Sequence, residues 1–202
     1  IVRSAQVHKY LDETIPAEEF PVLRQRRIDY PHLRKLTDIH CLPGAGPKLV
    51  LDSDMLFFQK PVQLLNWMQS QRGMLFMRDA TESYGYSKPL MLALSGAASI
   101  PDRLNVGVAG MSSNQINWRE LEHWTATMLK KEGSSYLQEQ ALTAMIAAGR
   151  EYKFLDEDLY KVLPIIRGQH IPETLHHYVA EAKYDYFVKG WPSILSTIRS
   201  SC

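Results

Sequence analysis

Lys48-Leu49-Val50-Leu51 is a short apolar run that stops abruptly at Asp52-Ser53-Asp54, and no other stretch restricts the architecture as tightly. Pro43-Gly44-Ala45-Gly46-Pro47 breaks the chain just before it. A run this short, bounded by turn residues, reads as a strand buried on both faces. Residues two apart in an extended chain point the same way, so both carboxylates face one point beyond the strand's carboxyl end. In open α/β sheets that edge is where ligands bind. Two acids there repel unless something positive lies between them. A divalent cation carrying a phosphate meets that need, because hard cations take oxygen ligands. The plain alternative is a capping acid beside a surface acid. The buried strand in front of the pair favours the site.

The remaining pattern alternates strands and helices. Ile28, Leu33, Leu36, Ile39 and Leu42 predict a helix beginning after Pro31. Pro61 opens another, with Val62, Leu64, Leu65 and Met68 on its apolar side. Gly73 to Met77 and Asn105 to Ala109 read as two further strands. Asn117 caps a helix that carries Leu121, Trp124, Met128 and Leu129 and stops at Gly133. Ser135 and Gln138 have capping-box spacing for a helix ending at Gly149. Residues 79–103, with Gly85, Pro89, Gly96 and Pro101, are expected to be an irregular loop or lid. Tyr84 and Tyr86 in it are candidates for packing or for stacking on a ligand, with packing at least as expected. The expected fold class is α/β, with a mainly parallel mixed sheet flanked by helices, in one domain spanning residues 1–202.

Composition excludes several classes. The 202 residues carry 23 basic and 22 acidic side chains, so nothing favours a nucleic-acid partner. A basic cluster at Arg24, Arg26, Arg27, Arg34 and Lys35 reads as a solvated face. No apolar run is long enough for a transmembrane segment, and no signal peptide is visible. Cys41 and the terminal Cys202 are expected to be reduced thiols, which points to a cytoplasmic setting. The chain begins without Met, so residues upstream are expected.

A second motif supports the acidic pair. His176-His177 lies ahead of Lys183, and a neutral imidazole can complete the coordination of a cation held by carboxylates. The mixed N/O set suits Mn²⁺, and lysine offers a mobile charge for a diphosphate.

These pieces, in order, resemble the retaining glycosyltransferases of family 8, which have the GT-A fold, from about Arg27 onward. Tyr30 to Arg34 is similar to the segment ending in a donor-contacting arginine. Leu49 to Asp54 resembles the family's hydrophobic Asp-x-Asp, and Gln59 to Leu65 the stretch after it. Leu104 to Val108 is similar to its Asn-x-Gly strand, Glu139-Gln140 to its Asp-Gln pair, and His177 with Lys183 keeps its six-residue spacing. The departures are Glu139 for Asp, Ala180 for Gly, and Tyr184-Asp185 for Pro-Trp. The family's first βαβ unit, which holds base and ribose, is not evident before Asp52.

The resemblance implies a hexosyltransferase acting with retention on a nucleotide-diphosphate sugar, with uridine as the family's base. It implies Mn²⁺ or Mg²⁺ on Asp52, Asp54 and His177. Arg34, Asp52, Ser53, Asn105, Gly107 and Lys183 are expected to contact the donor, and Asn105, Glu139 and Gln140 to serve the reacting sugar. A glycan, lipid or protein supplies the acceptor hydroxyl. The alternatives are a Mg²⁺-dependent phosphatase of the haloacid dehalogenase type, with Asp52 as nucleophile, and a non-catalytic nucleotide-sugar-binding module.

Overall fold

A computed structural model describes residues 2–44, 46–166 and 171–200, with side chains through Leu195 in the last helix. Cys202 lies outside the described residues. Seven strands form two sheets among them: β1 (Pro47–Leu51), β4 (Leu104–Ser112), β3 (Met74–Arg78) and β5 (Tyr152–Phe154) in that order, and β2 (Met55–Phe57), β7 (Leu175–His177) and β6 (Tyr160–Val162) in that order. The mixed α/β architecture is as expected, but the parallel predominance is not. Only β3–β5 and β6–β7 are parallel, whereas β1–β4, β3–β4 and β2–β7 are antiparallel. The expectation rested on helix–strand alternation. It fails because β4 inserts between β1 and β3 against both.

The elements lie close to where their residues place them. Asn117 caps α6 (Trp118–Glu132) by accepting from the amides of Arg119 and Glu120, and Gly133 ends it with φ 81°. Pro61 is the N-cap of α4 (Val62–Ser70). The helix expected after Pro31 is a 3₁₀ turn over Pro31–Leu33 followed by α3 (Arg34–Cys41). Ahead of it come α1 (Ser4–Thr14) and α2 (Pro21–Asp29), and no strand precedes Pro47 among the described residues.

Three local expectations fail, and one open choice is settled. Residues 79–103 contain α5 (Lys88–Ser95): Ser87 caps it, Pro89 sits in its first turn, and Gly96 closes it at φ 65°. The Gly and Pro taken as signs of irregularity are the punctuation of a helix. For Tyr84 and Tyr86 the packing reading holds, since both are buried. Tyr84 Oη donates to the Pro101 carbonyl and accepts from Leu104 N, and Tyr86 Oη donates to the Gly133 carbonyl. The Ser135–Gln138 capping box does not form, and α7 (Gln138–Ala147) begins later, because Gln138 turns inward and accepts from Arg26 Nε at 2.5 Å. Finally, β1 is an edge strand and only half buried.

The basic cluster is a solvated face only at Arg34. Arg26 is buried over the Tyr30 ring, Arg27 pairs with Asp38, and Lys35 enters a cavity.

A bulge divides β4 between two cores. Along the β3–β4 ladder Phe76 faces Ala109, but Met77 faces Asn105, so Val106–Val108 are extra on the β4 side. The extra residues shift the alternation of side chains. Leu104, Val106, Ala109 and Met111 pack with the helices of the main core, while Val108 joins Met55, Trp67, Leu75 and Leu175 between the two sheets.

Candidate metal and donor site

Residues far apart in sequence meet through one strand pairing. The chain leaves one sheet at Leu51 and enters the other at Met55, so Asp52–Asp54 bridge the two. Antiparallel pairing sets Met55 opposite His177, and the Tyr178 amide donates to the Asp54 carbonyl at 2.9 Å. Below them, Asp52 N donates to the Gly107 carbonyl at 2.9 Å, tying the acidic pair to the bulge in β4.

His177 Nε2 lies 3.2 Å from Asp54 Oδ1 and 3.6 Å from Asp52 Oδ2. One ligand atom from each residue lies within 4.8 Å of the others. Both ring nitrogens of His177 are buried without a well-formed hydrogen bond. A buried imidazole aimed at two half-buried carboxylates is a donor set of one nitrogen and two oxygens, and it fits a divalent cation. Gly107 makes the room: a Cβ there would sit 2.3 Å from His177 Cε1. Burial pushes the Asp54 carboxyl up, but the His177 ring and Lys183 outweigh it and hold it below its usual range. Lys183 Nζ stands 3.7 Å from Asp54 Oδ2 on a largely exposed side chain.

The two histidines differ in surroundings. His176 faces the opposite way, with Nδ1 3.1 Å from Tyr178 Oη, Nε2 3.3 Å from Glu173 and its ring against Phe58. His177→Ala is therefore expected to weaken Mn²⁺ binding at least about tenfold, through one lost ligand. His176→Ala is expected to cost about 1–3 kcal/mol of stability and leave Mn²⁺ affinity unchanged. Calorimetry and thermal melts on the two variants check this, and the reverse pattern refutes it.

A second group of polar side chains lines the same cavity of about 740 Å³. Asn105 Oδ1 accepts from the Gly107 amide at 2.8 Å, so its carboxamide pins the bulge, and its Nδ2 donates to Asp79 Oδ2 at 3.0 Å. Gln140 Nε2 donates to Asp79 Oδ2 at 3.2 Å and to the Ser83 carbonyl at 2.7 Å. Asp79 is thus the hub of this wall. No motif singled it out, although it follows the apolar β3 as Asp52 follows β1.

Glu139 is 5 % exposed, and its Oε2 lies 3.2 Å from Lys35 Nζ. Lys35 also donates to Asp52 at 2.9 Å and 3.3 Å. The cation that reaches both Glu139 and Asp52 in the cavity is therefore Lys35. Arg34, the expected donor contact, is exposed, reaches only the Arg27 carbonyl at 3.4 Å, and does not line the cavity. It stands where the first turn of α3 turns outward. Ser53, Gly107 and Lys183 do line it. So do Tyr30 and His32, from the Tyr30–Arg34 segment, and Tyr136, which no local sequence pattern connects to them. Tyr30 Oη donates to the Tyr136 carbonyl, and the His32 and Tyr136 rings meet edge-on at 4.9 Å.

Burial pushes the Glu139 carboxyl up to about 7, against the pull of Lys35. Between its ordinary 4.5 and about 7 the folded chain holds a proton that the unfolded chain has released, so stability falls as pH rises through that window. Glu139→Gln removes this titrating group. Its melting temperature from pH 4.5 to 8 is expected to fall less steeply than that of the wild type, and parallel profiles would refute the assignment.

This fold is the GT-A type, an α/β domain with mixed sheets flanked by helices. Two solved structures share it. Mouse xyloside xylosyltransferase 1, in its apo form, superposes with a TM-score of 0.52 at 13 % identity, over 87 % of this chain and 74 % of that one. An active-site mutant of LgtC superposes with a TM-score of 0.52 at 15 % identity, over 86 % of this chain and 66 % of that one. No protein-family model matches the sequence, and no curated protein matches it. The likenesses establish the fold, and family 8 itself is not singled out by them. No helix among the described residues is long and apolar enough to cross a membrane.

Proposed function

We propose that this chain is a metal-dependent glycosyltransferase that moves a hexose from a nucleotide-diphosphate sugar to an acceptor hydroxyl. The observation that carries the reading is the convergence of Asp52, Asp54 and His177 in one cavity with the Asp79–Asn105–Gln140 network and Glu139. One solved structure of the same fold is a xylosyltransferase by its name, which supports it.

Asp52, Asp54 and His177 would hold Mn²⁺ or Mg²⁺. Bound there, the cation would supply Lewis-acid neutralisation of a departing nucleoside diphosphate. Lys183 adds a positive charge on the diphosphate side of Asp54. Asp79 fixes the carboxamides of Asn105 and Gln140, giving a rigid polar wall against which sugar hydroxyls can be oriented. Glu139 and Lys35 line the same cavity beside Asp52, where they would meet the sugar next to the diphosphate. Ser53 and Gly107 offer backbone and small surface to the donor. His32 and Tyr136 form an aromatic rim on the Glu139 side, suited to an acceptor. Uridine as the base and retention of configuration belong to this proposal through the family resemblance. The reduced state expected of Cys41 agrees with its burial, which pushes the thiol up to about 12, and with a cytoplasmic setting. The phosphatase alternative finds less support, because a solved structure of the same fold is a xylosyltransferase by its name.

The test is a screen of nucleotide sugars for Mn²⁺-dependent hydrolysis and transfer, read by mass spectrometry, with the product anomer assigned by NMR. Turnover of at least one donor that stops with a chelator is the expected result. Binding without turnover across the panel supports a binding module instead.

A further inference from the structure

The cavity already contains a cation supplied by the chain. Lys35 Nζ lies 2.9 Å and 3.3 Å from the two oxygens of Asp52 and 3.2 Å from Glu139 Oε2. Its side chain is 22 % exposed, so the ammonium is held between the two acids. Asp52 is also one of the three residues that converge on the candidate metal position. One carboxylate thus faces two cationic partners. Like charges a few ångströms apart repel strongly where protein replaces water, and salt screens half-buried groups poorly. Lys183 leans on the other carboxylate, Asp54, from 3.7 Å. Both acids of the Asp-x-Asp are therefore already countered by lysines.

We propose that Lys35 is a resident counter-ion for Asp52, which makes the three-ligand site a poor receptor for a bare divalent cation and a good one for a cation carrying a diphosphate. This rests on the metal reading of Asp52, Asp54 and His177. The oxygens of a diphosphate bring the negative charge that lets Lys35 and a dication share the site. Lys35 keeps Glu139 as a partner while Asp52 turns to its second role. Linkage makes the effect reciprocal: the factor by which a diphosphate tightens the cation is the factor by which the cation tightens the diphosphate. The design also protects the fold, since Asp52 and Glu139 are not left uncompensated without ligand. Lys35 acts here as a positioning residue.

Calorimetric titration of Mn²⁺, alone and with saturating uridine diphosphate, tests this on the wild type, Lys35→Met, Lys35→Arg and Asp54→Ala. The wild type is expected to bind bare Mn²⁺ weakly and at least about tenfold more tightly with the nucleotide. Lys35→Met is expected to bind bare Mn²⁺ about tenfold or more tightly than the wild type, with a smaller gain from the nucleotide. Lys35→Arg, which keeps the charge, should resemble the wild type. Lys35→Gln carries the same expectation as the Met variant should that variant melt early. A charge-removed variant that binds bare Mn²⁺ no better than the wild type overturns the proposal. Asp54→Ala separates the two levels: if it binds Mn²⁺ with the nucleotide as the wild type does, the ligand assignment itself fails and the proposal falls with it.

Discussion

Replacing Asp54 by Ala is expected to abolish Mn²⁺-dependent binding of a nucleoside diphosphate while leaving the fold intact. Asp54 Oδ1 is the carboxylate oxygen nearest His177 Nε2, at 3.2 Å, so the substitution removes one of two anionic ligands beside the only nitrogen donor of the cluster. Loss of a hard anionic ligand is expected to cost about a hundredfold or more in affinity, because the remaining Asp52 is shared with Lys35. The structural cost is small. The contact that organises this turn is the Tyr178 amide on the Asp54 carbonyl, and Ala keeps that carbonyl. The side chain is 29 % exposed, and removing it should change stability by less than about 1 kcal/mol. Calorimetry with Mn²⁺ and uridine diphosphate, beside a thermal melt, gives both numbers. Wild-type affinity in a folded variant would remove Asp54 from the site.

Gly107→Ala is the second large effect, and it works through space. A Cβ at this position would stand 2.3 Å from His177 Cε1, 2.4 Å from Nδ1 and 2.6 Å from Met55 Cε. Such distances require something to move. His177 is 2 % exposed and belongs to β7, which pairs on both sides with β2 and β6, so its backbone cannot retreat. Overpacking of this kind costs about 1–3 kcal/mol. The relief available, rotation of the His177 ring, would take its nitrogen away from the acids and weaken Mn²⁺ binding by about tenfold or more. Gly46→Ala is the control: nothing lies within 4 Å of its added Cβ, so neither stability nor metal binding should respond. A Gly107→Ala protein with wild-type melting and metal affinity would show that the cradle does not constrain the histidine.

Some of this was legible in the sequence because it depends on neighbours in the chain. The Asp-x-Asp announces itself by the apolar β1 before it, and the α6 boundaries by Asn117 and Gly133, since caps and strand ends are local chemistry. Other signals misled for equally local reasons. Pro89 and Gly96 look like loop residues until Ser87 is seen capping the helix they bracket. Arg34 and Lys35 are adjacent and both cationic. Only the helical phase of α3 against β1 sends Lys35 into the cavity and Arg34 to solvent.

The residues alone determined the chemical inventory: an acidic pair at a strand end, a histidine and lysine at a fixed spacing, and the helix and strand signals around them. Tertiary structure decided which of these meet. His177, not His176, joins the acids because the β2–β7 register sets it opposite Met55, and a one-residue slip would turn the other ring inward. Asp79 becomes the hub of the polar wall because the bulge in β4 carries Asn105 to it, and a bulge answers to its partner strands more than to its own sequence.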